Sequence, residues 1–158
     1  MQKKIALATA LIGALTSSSA FAHDDHDKLG QLIKYRQSGY SFMAWNMGKI
    51  KNNVENPGSF NKDQVIAAAN VIAAIANSGM GALYAPGTDK GTGWKPTQVK
   101  AEFFQQPEKV KEVAVAFNKE ANELAAVAQT GNPQTIKAQL GKVGETCKKC
   151  HDAFRHKD

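Results

Sequence analysis

The chain is predicted to be all-α, an antiparallel up-and-down four-helix bundle. Three observations lead there. Apolar residues recur at helical spacing in four separate stretches, clusters of Pro, Gly and Asn divide those stretches, and no strand-like alternation or hairpin signal competes. With 158 residues there is room for one ordinary domain. The 42% hydrophobic and 22% charged residues exclude a mainly disordered chain, and two cysteines exclude a disulfide scaffold. Lys plus Arg number 20 against 14 Asp plus Glu, a mild excess that falls short of what nucleic-acid binding alone demands.

Residues 1–22 stand apart from the fold. Lys3 and Lys4 make a basic start, Ile5 to Leu15 is an apolar run, and Ala20-Phe21-Ala22 is a small-x-small ending. Those are the three parts of a secretory signal peptide in order, against the alternative of a cytoplasmic protein with an apolar first helix. The run of 11 residues is too short to span a bilayer core of ~30 Å. Cleavage after Ala22 leaves a single domain, His23–Asp158, with 18 basic and 14 acidic side chains. No later stretch reaches membrane-spanning length, so the expected product is exported and soluble.

The first helix is read from Leu29, with Leu29, Ile33, Tyr40, Met43, Met47 and Ile50 on one seam and Arg36 the single charge within it. Asn56-Pro57-Gly58 breaks it. The second helix runs from about Lys62 to Asn77, with Val65, Ile66, Ala69, Ile72, Ala73 and Ala76 on its inner stripe, and Ser78-Gly79 stops it. A long connection follows, Gly81 to Lys100; loops of that length are uncommon in compact domains and often functional. The third helix starts near Pro107, a residue suited to a first turn. Asn132 as N-cap and Pro133 as first helical residue open the fourth, whose face carries Ile136, Leu140, Val143, Cys147, Cys150, His151 and Phe154.

Chemistry concentrates on that last helix. Cys147-Lys148-Lys149-Cys150-His151 is a Cys-x-x-Cys-His run. Residues i and i+3 share a helix face, so both sulfurs can reach the two vinyl groups of one haem, with His151 as axial ligand to the iron. A thioredoxin-like motif needs a βαβ setting, a structural zinc site needs four ligands, and a disulfide at this spacing inside a helix is geometrically poor and has no use for His151. The cofactor expected is therefore one haem c, covalently attached through Cys147 and Cys150. Haem would also supply apolar mass where the seam carries Cys and His instead of bulky aliphatics. Arg36 has two readings: a snorkelling core arginine, or a guanidinium paired with a haem propionate. An export signal with haem attachment fits a bacterial periplasm.

With the motif near its C-terminus, the bundle resembles the cytochrome c′ family, the class II c-type cytochromes. The matching residues are Tyr35-Arg36-Gln37-Ser38, Pro86-Gly87-Thr88 and Cys147-Lys148-Lys149-Cys150-His151-Asp152-Ala153-Phe154-Arg155. Together with the helix layout they cover residues 29–157. The resemblance implies haem contacts at Arg36, Gln37 and Thr92, and a basic residue at Arg155 that tunes the proximal imidazole. It also implies a homodimer through the first two helices.

The second axial position decides the function. In the low-spin relatives a methionine ligates the iron four residues after the arginine; here that position is Tyr40. The resemblance therefore implies a five-coordinate, high-spin haem under a Tyr40 lid, binding diatomic gases such as NO or CO and carrying electrons. The alternative is a low-spin electron carrier with Met43 or Met47 as sixth ligand, although methionine at helical spacing is usually core. Lys137, Lys142, Lys148, Lys149, Arg155 and Lys157 have two readings, a surface that steers an acidic redox partner protein or a solvated face. No paired carboxylates, nucleophile–base set or phosphate loop is present, so no enzyme is expected. His23-Asp24-Asp25-His26-Asp27 reads as a solvated tail before it reads as a metal site.

Overall fold

The computed structural model describes residues 20–157, with side chains described from Lys28 onward apart from Pro57. Most of the predicted signal peptide lies outside the described residues, as do the side chains of the His23–Asp27 segment. Among the described residues there are five α-helices: α1 (Ala20–Glu55), α2 (Lys62–Ala76), the short α3 (Glu102–Gln105), α4 (Pro107–Ala128) and α5 (Pro133–Phe154). The four long ones form the antiparallel bundle, and neither α3 nor the early start of α1 was anticipated.

Local chemistry sets each end. Asn61 caps α2 by accepting from the Gln64 N–H at 2.9 Å, and the chain leaves α2 through Gly79 at φ +80°. Asn132 caps α5 by accepting from Gln134 and Thr135, after Gly131 turns the chain at φ +70°. Buried Asn53 joins α1 to α2: it donates to Gln64 at 2.6 Å and accepts the Asn61 N–H at 2.8 Å.

The core lies between the helices. Ile50 and Val54 from α1, Val65, Ala68, Ala69 and Ile72 from α2, Ala121, Leu124 and Ala128 from α4, and Ile136, Leu140 and Val143 from α5 pack into one cluster. The alanines of α2 let its neighbours approach closely, and buried Gln139 ties α5 to the Glu120 carbonyl and carboxylate of α4. The α1–α5 contact is the thinnest of the four around the ring. A groove of about 330 Å³ opens there, lined by Met47, Gly48, Val54, Leu140 and Gly141 with Lys51, Glu55 and Lys137 at its edge.

The long connection is ordered. After a 3-10 turn, Met80–Leu83, it crosses the first half of the described part of α1 and then meets the end of α5 through a bridge between Val99 and Arg155. Gly93 lies directly on α1: a Cβ there would stand 2.6 Å from the Lys34 backbone nitrogen. No described helix is long and apolar enough to cross a membrane.

Candidate haem-attachment site

The last two turns of α5 present Cys147 and Cys150, both free and half-buried, beside buried Thr146 and Phe154. His151 is exposed on the next position. Loss of solvent pushes both thiols up from their ordinary range, and Cys147 adds to the effect on Cys150. Neutral thiols are the opposite of the depressed thiolate a thioredoxin-like site needs. Among the described residues, no group of three or more His, Cys, Asp or Glu converges as a metal cage. His151 is biased toward its neutral form, first by partial desolvation and then by the Arg155 charge.

Arg155 ends α5 in extended conformation. Its Nε donates to Gln98 Oε1 at 2.8 Å, while its backbone N–H still closes the helix on the His151 carbonyl at 3.0 Å. Lys148 pairs with Asp152 on the outer face. Lys100 reaches the carbonyls of Asp152 and Ala153, the free end of the helix.

Facing α5, α1 carries the predicted seam. Ile33, Arg36, Met43 and Ile50 are buried, whereas Tyr40 between them is 41% exposed. The electrostatic surroundings of its phenol include Cys150 and Cys147 of α5 as well as Arg36. Desolvation raises the Tyr40 pKa above the ordinary phenol value, and Tyr84 responds in the same direction for the same reason. Met43 belongs to the hydrophobic core, with Met47 packed against it.

Arg36 is the only buried charged side chain among the described residues. Its guanidinium holds the long connection, donating to the Thr88 hydroxyl at 2.8 Å, the Thr88 carbonyl, the Thr97 hydroxyl at 2.6 Å and the Leu83 carbonyl at 3.4 Å. It also lies 4.6 Å from the centre of the Tyr84 ring. Of the two sequence readings, snorkelling does not describe this side chain: it is a buried clamp on the loop. Burial pulls its pKa down from the usual arginine value.

Gln37 is turned the same way. Its amide oxygen accepts from the Trp94 N–H at 2.8 Å and its nitrogen donates to the Lys95 carbonyl at 2.9 Å, so the partners it shows are loop backbone. Thr92 is exposed, bridges to Pro96, and sets its carbonyl against Gly30 of α1. The Gly39 position is covered by Met80, whose side chain would lie about 3.0 Å from a Cβ there.

Tyr84, Thr88, Thr97 and Gln98 complete the arrangement. Sequence reading singled out Pro86-Gly87-Thr88 without a role for the threonine and passed over the other three. Tyr84 donates to the Tyr40 hydroxyl at 3.1 Å and stacks on Phe103 at 4.3 Å, which meets buried Phe154 edge-on at 5.5 Å. An aromatic residue two places before Pro-Gly is the signal the sequence offers.

This donor set fits a covalently held iron porphyrin. Two neutral thiols share a helix face, an imidazole follows immediately, and an uncovered inner-seam tyrosine stands opposite.

A family model described as Cytochrome C' matches residues 31–155. Cytochrome c′ of Rhodocyclus tenuis is 62% identical over 131 residues, covering 83% of this chain and 98% of that protein. The crystal structure of cytochrome c′ from Thermochromatium tepidum aligns with a TM-score of 0.76 at 53% identity, over 82% of this chain and 97% of that one. A cytochrome c′ with an unusual ligand-controlled dimer dissociation aligns at 0.77 and 56% over the same shares. Motif, bundle and relatives agree, and the chain belongs to the cytochrome c′ family.

Proposed function

We propose that this chain is an exported periplasmic haem protein, five-coordinate at iron, that binds NO or CO and carries electrons, and is not an enzyme. The observation that carries the reading is Tyr40: a phenol, not a thioether, occupies the α1 position facing the cysteines, while Met43 is committed to the core. Thioether bonds to Cys147 and Cys150 would hold one haem c, with His151 on one side of an iron able to take a diatomic gas on the other. Arg155, held by Gln98, keeps a positive charge near His151 and favours the neutral imidazole that ligation needs. Arg36 and Gln37 act by fixing the loop that walls the site, with Thr92 at its outer turn. Nitric oxide complexes of cytochrome c′ variants from Alcaligenes xylosoxidans, 28–29% identical, support the gas ligand.

The finer assignments extend this reading. A signal peptide ending at Ala22 would deliver the chain to the periplasm. A homodimer would form through α1 and α2, where Phe42 and Trp45 stack at 5.6 Å on the outer face of α1 and are about half exposed. An acidic redox partner would approach the exposed lysines around Cys147–His151.

An absorption spectrum of the dithionite-reduced protein, with and without CO, tests the reading. A broad unsplit visible band that shifts sharply with CO is expected. Sharp split bands unmoved by CO would refute it and assign the sixth position to Met43 or Met47.

A further inference from the structure

The lid is held by a residue outside the haem helix and outside α1. Tyr84 follows the 3-10 turn Met80–Leu83 in the connection after α2, 44 positions from Tyr40, and their hydroxyls meet at 3.1 Å. The two rings are secured very differently. Tyr84 stacks on Phe103, lies under the Arg36 guanidinium, and has its backbone N–H bonded to the Gly81 carbonyl at 3.1 Å. Tyr40 keeps 41% of its surface uncovered, and the hydrogen bond described for its side chain is the one to Tyr84. Both phenols are desolvated, so both keep their protons and the contact is a neutral O–H···O bond.

We infer that Tyr84 is the latch of the Tyr40 lid, a positioning residue whose hydroxyl holds Tyr40 across the gas site and thereby sets gas affinity. The inference rests on the gas-binding reading above. A ligand entering beneath Tyr40 must displace the member of the pair with fewer partners, while Tyr84 stays with Phe103 and Arg36. The hydroxyl contact is then lost, and its worth is subtracted from binding. A neutral hydrogen bond of this kind contributes about fivefold in an equilibrium constant, or about 1 kcal/mol at 1.4 kcal/mol per decade.

The test is CO binding to the reduced holoprotein as wild type, Tyr84→Phe, Tyr40→Phe and the double variant. Each single variant should bind CO about fivefold tighter, and the double variant no tighter than either single one, because one bond is removed in all three. Ultraviolet resonance Raman supplies a readout apart from affinity: CO should shift the hydrogen-bond-sensitive tyrosine bands of the wild type and leave those of Tyr84→Phe in place. Affinity of Tyr84→Phe within twofold of wild type, or additive effects in the double variant, would overturn the latch while leaving the gas-binding reading intact. A wild type that does not respond to CO would overturn the gas-binding reading itself. Should Tyr84→Phe fail to accumulate, the wild-type Raman spectrum decides, since tyrosine bands unmoved by CO exclude the latch.

Discussion

Arg36→Met is the substitution that most directly tests how the long connection is held. Three of its hydrogen bonds, to the Thr88 hydroxyl, the Thr88 carbonyl and the Thr97 hydroxyl, are buried or partly so and charge-assisted. At about 1.5 kcal/mol each they sum to roughly 4–5 kcal/mol. Methionine fills similar space and no longer has to bury a charge, which returns part of that, so the net loss expected is about 3 kcal/mol. For a domain of this size that is a fall in Tm of about 10 °C. Arg36→Lys retains the charge but loses the planar fork, and should fall about halfway. Thermal melting of the holoprotein gives the global number, and hydrogen exchange over residues 83–97 locates it. A fall below about 3 °C for Arg36→Met, or unchanged exchange across that segment, would show that the guanidinium does not anchor the connection.

Other parts of the molecule give five further outcomes. Gly93→Ala places a methyl 2.6 Å from the Lys34 nitrogen and 2.8 Å from its Cα, backbone atoms that cannot yield, and should cost about 2 kcal/mol; Gly48→Ala meets nothing within 4 Å and should stabilise α1 by about 1 kcal/mol, both read as denaturation midpoints. Asn132→Ala removes the acceptor for two N-terminal amides of α5 and should cost about 1 kcal/mol in urea. Tyr40 and Tyr84 have phenol pKa values raised by folding, so their contribution to stability is complete below the unfolded value of about 10 and is lost as pH rises through the folded values; carbon-13 tyrosine resonances should show both still protonated past pH ~10. Phe42→Glu with Trp45→Glu should turn a dimer into a monomer in sedimentation velocity, while an unchanged mass would place the interface elsewhere.

What sequence reading could reach and what it could not divide along a physical line. The three later long helices were legible to within a residue or two because their signals are local. Asn132 and Pro133 act on the turn they begin, and Gly79 acts on the turn it follows, while the cap at Asn61 is a finding of the structure. The Cys147–His151 run was legible for the same reason, since its spacing is a property of one helix face. The start of α1 was placed nine residues late because Ala20–Lys28 has no apolar stripe of its own and was divided between a leader and a tail. The role of Thr88 is not legible in sequence, nor are Thr97 and Tyr84 at all, because they depend on partners 44 to 61 positions away.

Arg36 shows the boundary most sharply. A charge inside an apolar seam is visible in sequence as an exception, since a buried guanidinium needs several oxygen acceptors. Which acceptors it finds is not visible, and a propionate and a carbonyl-lined loop satisfy it equally well on chemical grounds. The structure shows loop oxygens as its partners, contacts that do not depend on the cofactor. By binding Leu83, Thr88 and Thr97 and lying against the Tyr84 ring, the guanidinium couples the loop to Tyr84. Arg36→Met should therefore loosen Tyr84 as well as the loop and raise CO affinity along the same route as Tyr84→Phe. The two substitutions combined should then raise affinity by less than the product of their separate effects.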